Sequence, residues 1–97
     1  MNAKIEFLAH VEDVNEKIIC AKITRYKKVC ILKPNFSEED FNSFVESLDF
    51  IYDDGYGSQE LFGIILFEDS WSDRYEYDGS ELWSNNKRPK IEEVMNY

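Results

Sequence analysis

Residues 37–49 have the sequence SEEDFNSFVESLD, and this segment predicts an amphipathic helix. Ser37 is a favourable N-cap residue, and the three acids that follow it suit the first turn, where they complement the helix dipole. Apolar residues then recur at positions i, i+3, i+4 and i+7, which lie on one helix face: Phe41, Phe44, Val45 and Leu48. We therefore predict a helix over residues 38–49 with one apolar face.

Three strands are predicted before this helix. Residues 3–11 alternate between apolar and polar positions, which predicts a strand with Ile5 and Phe7 on the same face. Residues 16–24 are rich in isoleucine and predict a second strand. Residues 29–32 form a short apolar stretch that a proline soon follows, and they predict a third.

The strands that follow the helix complete the predicted sheet. Residues 61–67 are apolar on both faces, which predicts a central strand. Residues 71–77 predict the next strand, and residues 81–84 predict a short edge strand after the turn dipeptide Asp-Gly. The order β-β-β-α-β-β predicts one α+β domain over residues 1–97. Its architecture would be a single antiparallel sheet of about five strands, with one amphipathic helix packed on one face.

The charges of the chain are segregated. Between Glu38 and Glu81 there are fourteen carboxylates and one base, Arg74, so this segment has a formal charge of −13. The remaining residues carry +4, and the whole chain carries −9. Eleven of the fifteen aromatic residues lie between Phe41 and Trp83, which indicates a folded acidic surface rather than a disordered acidic tail. Such a surface attracts cations, and we predict that it binds the basic DNA-binding surface of another protein.

Composition also bears on compartment and partners. The longest apolar run, residues 61–67, is far shorter than the roughly 20 residues that span a bilayer, so no membrane partner is predicted. The first residues show no secretory signal, which predicts a cytoplasmic protein. Cys20 and Cys30 are expected to stay reduced, and a disulfide between them is the less favoured alternative. The acidic surface disfavours direct nucleic acid binding.

Catalytic and metal-binding patterns find little support. His10 is the only histidine, and on the predicted strand it has no recognisable partner. A carboxylate pair for glycoside hydrolysis stays open as an alternative, because acids are plentiful. Residues 49–60 have the length of a calcium loop, but Ile51 occupies a ligand position and Asp54 stands where glycine is required. We predict a protein that is not an enzyme and that has no metal or cofactor.

The predicted contacts with the partner centre on the strand near residues 72–78. Alternate strand residues lie about 6.6 Å apart, and phosphates advance about 3.4 Å along one DNA strand, so carboxylates at this spacing can imitate a backbone. Arg74, Glu76 and Asp78 are predicted to share one face, and a merely solvated face is the open alternative. The predicted partner-binding residues are eight carboxylates and two aromatic anchors: Asp53, Asp54, Tyr56, Glu68, Asp69, Trp71, Asp73, Glu76, Asp78 and Glu81.

Two stretches carry a resemblance to known proteins. They are QELFG at residues 59–63 and WSDRYEYDGSELW at residues 71–83, and Pro89 follows them. Over residues 50–91 the chain resembles a family of small acidic proteins from phages and prophages. Leu82 departs from the family pattern, which has an aromatic residue before the tryptophan.

The resemblance implies a phage-borne accessory protein. Small acidic phage proteins commonly disarm host defence by occupying a nucleic-acid channel, and anti-CRISPR proteins of the DNA-mimic kind are the functional counterpart that the resemblance suggests. It also implies structural roles for Tyr77, Gly79 and Trp83. The acids between them would face a partner: Glu76, Asp78 and Glu81.

Charge and resemblance together predict a stoichiometric inhibitor. It would act in the host cytoplasm as an acidic DNA mimic that blocks target DNA binding by a host defence complex, with a subunit of a type I CRISPR surveillance complex as the expected target. An immunity protein that neutralises a nuclease toxin would have the same electrostatics and is the alternative. A small enzyme, and a domain whose acidity serves solubility alone, are the remaining hypotheses.

Overall fold

The computed structural model describes residues 1–52, 59–77, 80–88 and 95 of the chain. Within these residues, five strands form one antiparallel sheet with the strand order β2-β1-β3-β4-β5, and two helices pack against it. The predicted α+β class and the single antiparallel sheet are confirmed, and the order of elements begins with a helix that was not predicted. The elements are α1 (Ala3–Val14), β1 (Ile18–Arg25), β2 (Lys28–Leu32), α2 (Glu38–Ser47), β3 (Leu61–Phe67), β4 (Ser70–Tyr77) and β5 (Ser80–Lys87).

The strand predicted over residues 3–11 is wrong, because this segment forms helix α1. Asn2 caps the helix by accepting the Ile5 N–H at 3.0 Å. Asn15 ends it in the left-handed conformation, with φ of 54°, and its N–H donates to the Val11 carbonyl. The residues that pack toward the core have helical spacing: Ala3, Phe7, Val11 and Val14.

The exposed apolar residues of α1 explain the error. Ile5 is 66% exposed and Leu8 is 37% exposed, whereas Phe7 is 1% exposed. Exposed Ile5, together with Phe7 and Ala9, produced the apparent period of two, and exposed Leu8 obscured the apolar stripe of the helix.

Helix α2 confirms the prediction made for residues 38–49. The Ser37 hydroxyl accepts the Asp40 N–H at 3.0 Å, and the Asp40 carboxylate accepts the Ser37 N–H at 3.0 Å, so the two residues form a reciprocal capping box. Phe44 and Val45 are buried on the side that faces the sheet. No helix in the described part of the chain is long and apolar enough to cross a membrane.

Both helices cover the same face of the sheet, which we call the inner face. Phe7 of α1 contacts Phe44 of α2 with ring centroids 5.5 Å apart and Trp83 of β5 with centroids 6.5 Å apart. On the sheet side, Ile65 and Phe67 of β3 are fully buried. The two-layer core therefore lies between these helices and the inner face.

The opposite face of the sheet, the outer face, is not covered by a described helix. Strand β3 shows the difference, because Leu61 and Ile65 are buried while Phe62 and Ile64 are more than half exposed. β3 is the middle strand of the sheet, as predicted. Its apolar character on both faces therefore does not arise from helices on both sides.

The two cysteines are free thiols. Cys30 is buried in the core and lies opposite Ile23 in the β1–β2 pair. The alternative of a disulfide between Cys20 and Cys30 is therefore wrong, because the hairpin register does not bring them together.

Ile5 and Phe7, which the strand prediction placed on the same face, give a direct test of helix α1. We expect Phe7→Ala to lower the free energy of unfolding by about 3–5 kcal/mol, because it leaves a cavity in the core. The matched variant Ile5→Ala should change it by no more than about 0.5 kcal/mol, because that side chain is mostly in solvent. Urea unfolding measures both, and similar losses in the two variants would contradict the helix.

Candidate functional site

The predicted partner-binding residues have several different locations. Asp53, Asp54, Tyr56 and Asp78 lie outside the described residues. Most of the loop at residues 49–60, considered above for calcium, also lies outside them.

The predicted residues that are described do not form one surface. Glu68 and Asp69 are exposed at the turn between β3 and β4. Trp71 and Asp73 lie on the outer face, where they pair with Leu66 and Ile64 of β3. Glu76 is exposed at the far end of β4, opposite Glu81 on β5. They belong to a turn, to both faces of the sheet and to the core.

Glu81 does not face a partner, which corrects the prediction for this residue. Its side chain is 2% exposed, and its Oε1 lies 3.4 Å from the Arg74 Nη2. Its two oxygens accept the backbone N–H groups of Glu60, at 2.6 Å, and Leu61, at 2.9 Å. Glu81 therefore holds the start of β3 against β5 from inside the fold.

Arg74 lies at the centre of a buried polar group that we call the arginine cluster: Arg74, Glu6, Tyr52 and Glu81. The Arg74 side chain is 0% exposed, and it donates to Glu6 Oε1 at 2.8 Å and to the Tyr52 hydroxyl at 2.8 Å. Its guanidinium also lies 5.2 Å from the centroid of the Trp83 ring.

The proton of the Tyr52 hydroxyl has a fixed place in the arginine cluster. The hydroxyl donates to Glu6 Oε1 while it accepts from Arg74. Burial raises the pKa of Tyr52 well above its ordinary value, and the hydrogen bond to Glu6 adds to the rise. Tyr52 therefore stays protonated, and the arrangement serves to hold α1 against the sheet.

A second group of polar side chains, joined by hydrogen bonds, lies beside the arginine cluster under α1. His10 Nε2 lies 2.7 Å from the Ser72 hydroxyl, and the His10 ring stacks on Trp83 with centroids 5.8 Å apart. The Asn85 amide donates to the hydroxyls of Ser72 and Ser70 at 3.0 and 3.1 Å. The Ser70 hydroxyl in turn donates to Glu16 at 3.0 Å.

The His10 contact gives this histidine a partner that the sequence did not reveal. A serine within hydrogen-bond reach of a histidine is the minimal arrangement of nucleophile and base. Ser72, however, is 0% exposed, and the His10 ring lies directly against it. A substrate cannot reach this hydroxyl in the folded structure, so the pair joins α1 to β4.

The exposed side of α2 carries a further group of acids, which we call the acidic helix face: Glu38, Glu39 and Glu46. They line one shallow depression together with Asn42 and Ser43. Lys4 of α1 donates to Glu46 at 2.6 Å. The prediction missed this face as a site, because the acids of the first turn were attributed to capping and dipole effects alone.

Comparison with protein-family models, with curated proteins and with solved structures found no match to the chain.

The arginine cluster predicts a strong effect of removing its acid. We expect Glu81→Ala to lower the free energy of unfolding by about 3–5 kcal/mol, because it leaves a buried guanidinium without one of its partners and two backbone N–H groups without an acceptor. Glu68→Ala, at the exposed turn, is the control and should cost no more than about 0.5 kcal/mol. If urea unfolding finds both variants close to wild type, the cluster does not hold the fold as described.

His10 predicts a pH dependence of stability. Burial lowers the pKa of His10, Asp13 opposes this shift, and Arg74 adds to it. Because the unfolded chain takes up this proton near pH 6.5 and the folded chain only at lower pH, the stability should fall as pH drops below about 6.5. His10→Gln should remove this part of the dependence. Unfolding curves that respond to pH equally in wild type and variant over that range would contradict it.

Proposed function

We propose that the chain is a stoichiometric inhibitor that acts as an acidic DNA mimic. It would occupy the basic DNA-binding surface of a host defence nucleoprotein complex, with a subunit of a type I CRISPR surveillance complex as the target. The observation that carries the proposal is the acidic helix face, because it presents carboxylates on a helix that is capped and packed.

The spacing of these carboxylates suits a surface that normally holds DNA. Glu39 and Glu46 are seven residues apart, which corresponds to about 10 Å along a helix axis. Phosphates on one DNA strand advance about 3.4 Å each, so this separation is close to three phosphate steps. Lysine and arginine side chains that are spaced to contact a DNA phosphate backbone can therefore contact more than one acid of the acidic helix face.

The acidic helix face is also fixed in position. The Lys4–Glu46 ion pair joins it to α1, and the amide of Asn2 donates to Asp49 at 3.0 Å just beyond α2. A fixed acidic surface loses less conformational entropy on binding than an acidic tail does. It therefore fits a tight inhibitor better than a flexible solvating segment.

The overall charge supports the same proposal. A net charge of −9 on 97 residues speeds encounter with a cationic surface and repels nucleic acid itself. Glu68 and Asp69 add an exposed acidic turn at the ends of strands β3 and β4. The protein would act in the cytoplasm of the host, as an accessory protein of a phage.

The direct test measures binding to a purified type I surveillance complex, followed by competition with its labelled target DNA. We expect the chain to displace the DNA at stoichiometric ratio, and we expect the affinity to fall with rising salt. The double variant Glu39→Lys, Glu46→Lys should bind about 10–100-fold more weakly, because it reverses two charges at the contact.

The matched control is Glu12→Lys, Asp13→Lys, which makes the same change of net charge at the exposed end of α1. Equal weakening in the two double variants would mean that only net charge matters and that the acidic helix face is not the contact. Failure to bind the surveillance complex, together with salt-sensitive inhibition of a nuclease toxin, would replace the proposal with the immunity alternative.

A further inference from the structure

The outer face of the sheet combines large apolar side chains with strong exposure. Ile31 on β2 is 55% exposed, and Phe62 and Ile64 on β3 are 54% and 55% exposed. Strand β1 lies between these two strands. Ile31, Ile64 and Leu66 surround one shallow apolar depression beside Lys22. Further apolar or aromatic residues extend this face toward both edges of the sheet: Val29, Trp71, Tyr75 and Tyr77.

We infer that the outer face binds a second copy of this chain. The two sheets would pack face to face, related by a two-fold axis that lies between them and runs parallel to β3. The helices would form the two outside layers of the dimer. This inference does not rest on the proposed function, because it uses a different face of the molecule.

The charges of the outer face favour this occupant. Lys22 of β1 and Asp73 of β4 both pair with Ile64, so they lie in one row on either side of the middle strand. Two strand spacings, about 10 Å, separate them within a chain. The amide of Asn86 donates to Asp73 at 3.2 Å and orients the carboxylate on this face.

A two-fold axis along β3 exchanges the two sides of the sheet. It therefore sets Lys22 of each copy opposite Asp73 of the other, and it sets Ile64 against Ile64. The alternative axis, across the strands, would oppose Lys22 to Lys22 and Asp73 to Asp73, which is unfavourable in an apolar interface. Strands related by the first axis run in nearly the same direction, as they do in aligned sheet packing.

The area of the face is of the order of that in a standard protein–protein interface. Five strands span about 24 Å, and seven residues of strand span about 23 Å, which gives a plan area of roughly 550 Å² before side-chain relief is counted. A standard interface buries about 800 Å² of accessible surface on each partner, and the plan area of this face is roughly two thirds of that figure before side-chain relief is added.

The dimer gives new roles to two of the predicted partner-binding residues. Trp71 and Asp73 would lie within the contact between the two copies rather than on the DNA-mimicking surface. Val29 and Ile31 at one edge of the sheet would meet the region of Leu82 at the other edge of the second copy. The acidic helix faces would point outward on opposite sides, so the assembly would have two equivalent binding surfaces.

Exchanging the charges of Lys22 and Asp73 tests whether the outer face binds a second copy of the chain and whether the two-fold axis runs parallel to β3. Sedimentation equilibrium of the full chain should show a dimer. Lys22→Asp alone and Asp73→Lys alone should each raise the dimer dissociation constant by about 100-fold, because two ion pairs become two repulsive pairs. An equimolar mixture of the two variants should recover a dimer that contains one copy of each, and the double variant should recover the homodimer.

The controls separate dimer loss from unfolding and from net charge. Lys27→Asp and Glu12→Lys make the same charge changes at exposed positions away from the outer face, and they should leave the dimer unchanged. Circular dichroism should show that every variant is folded. A wild-type chain that is monomeric at all concentrations overturns the inference and leaves this face to another protein or to residues 89–97. Single variants that stay dimeric, or a mixture that stays monomeric, overturn the proposed axis.

Discussion

The buried ion pair between Arg74 and Glu81 is the interaction on which the other contacts depend. Through Arg74 it reaches Glu6 of α1 and Tyr52, and through the two oxygens of Glu81 it reaches the start of β3. Burying two charges costs several kcal/mol for each ion, so the pair favours the fold only because nearly every partner has good geometry. This requirement selects one arrangement of the strands: Arg74 must lie opposite Trp83 for Glu81 to reach the start of β3, which lies on the far side of β4.

The ion pair lies within an unusual distribution of residue types over the sheet. Polar residues occupy the inner face of β4, where Ser70, Ser72 and Arg74 are all buried. Apolar residues such as Phe62 and Ile64 are exposed on the outer face. Arg74 is the single base among the carboxylates of its segment. A lone base in such a segment can hold acids inside the fold, as Arg74 holds Glu81. Counting acids without regard to this base wrongly assigned Glu81 to the surface.

Local sequence signals predicted the elements that depend on local interactions. The cap at Ser37 and the apolar stripe that follows it predicted α2, and the apolar run of β3 predicted the middle strand. The sequence also contained the end signals of α1, namely an asparagine at each end, but exposed Ile5 and Leu8 obscured its helical period. The outer face was foreseeable in principle, because a sheet with helices on one face and an apolar strand in the middle must expose apolar residues. The partners of His10 and Arg74 depend on tertiary contacts, and no local pattern encodes them.

The negative charge of the chain favours binding of a cationic partner to the acidic helix face, but it opposes dimer formation through the outer face. The positions of the charged residues make the two compatible. Two chains with a charge of −9 each repel one another, which opposes dimer formation. The acids of α2, however, lie on the helix side of each chain. In the face-to-face dimer the two sheets, about 10 Å apart, and a helix layer on each side of them therefore separate the two groups of acids. Charges interact weakly beyond a Debye length of about 8 Å at physiological salt. The row of Lys22, Ile64 and Asp73 on the outer face carries one base and one acid and is self-complementary, so the repulsion is smallest where the two copies would meet.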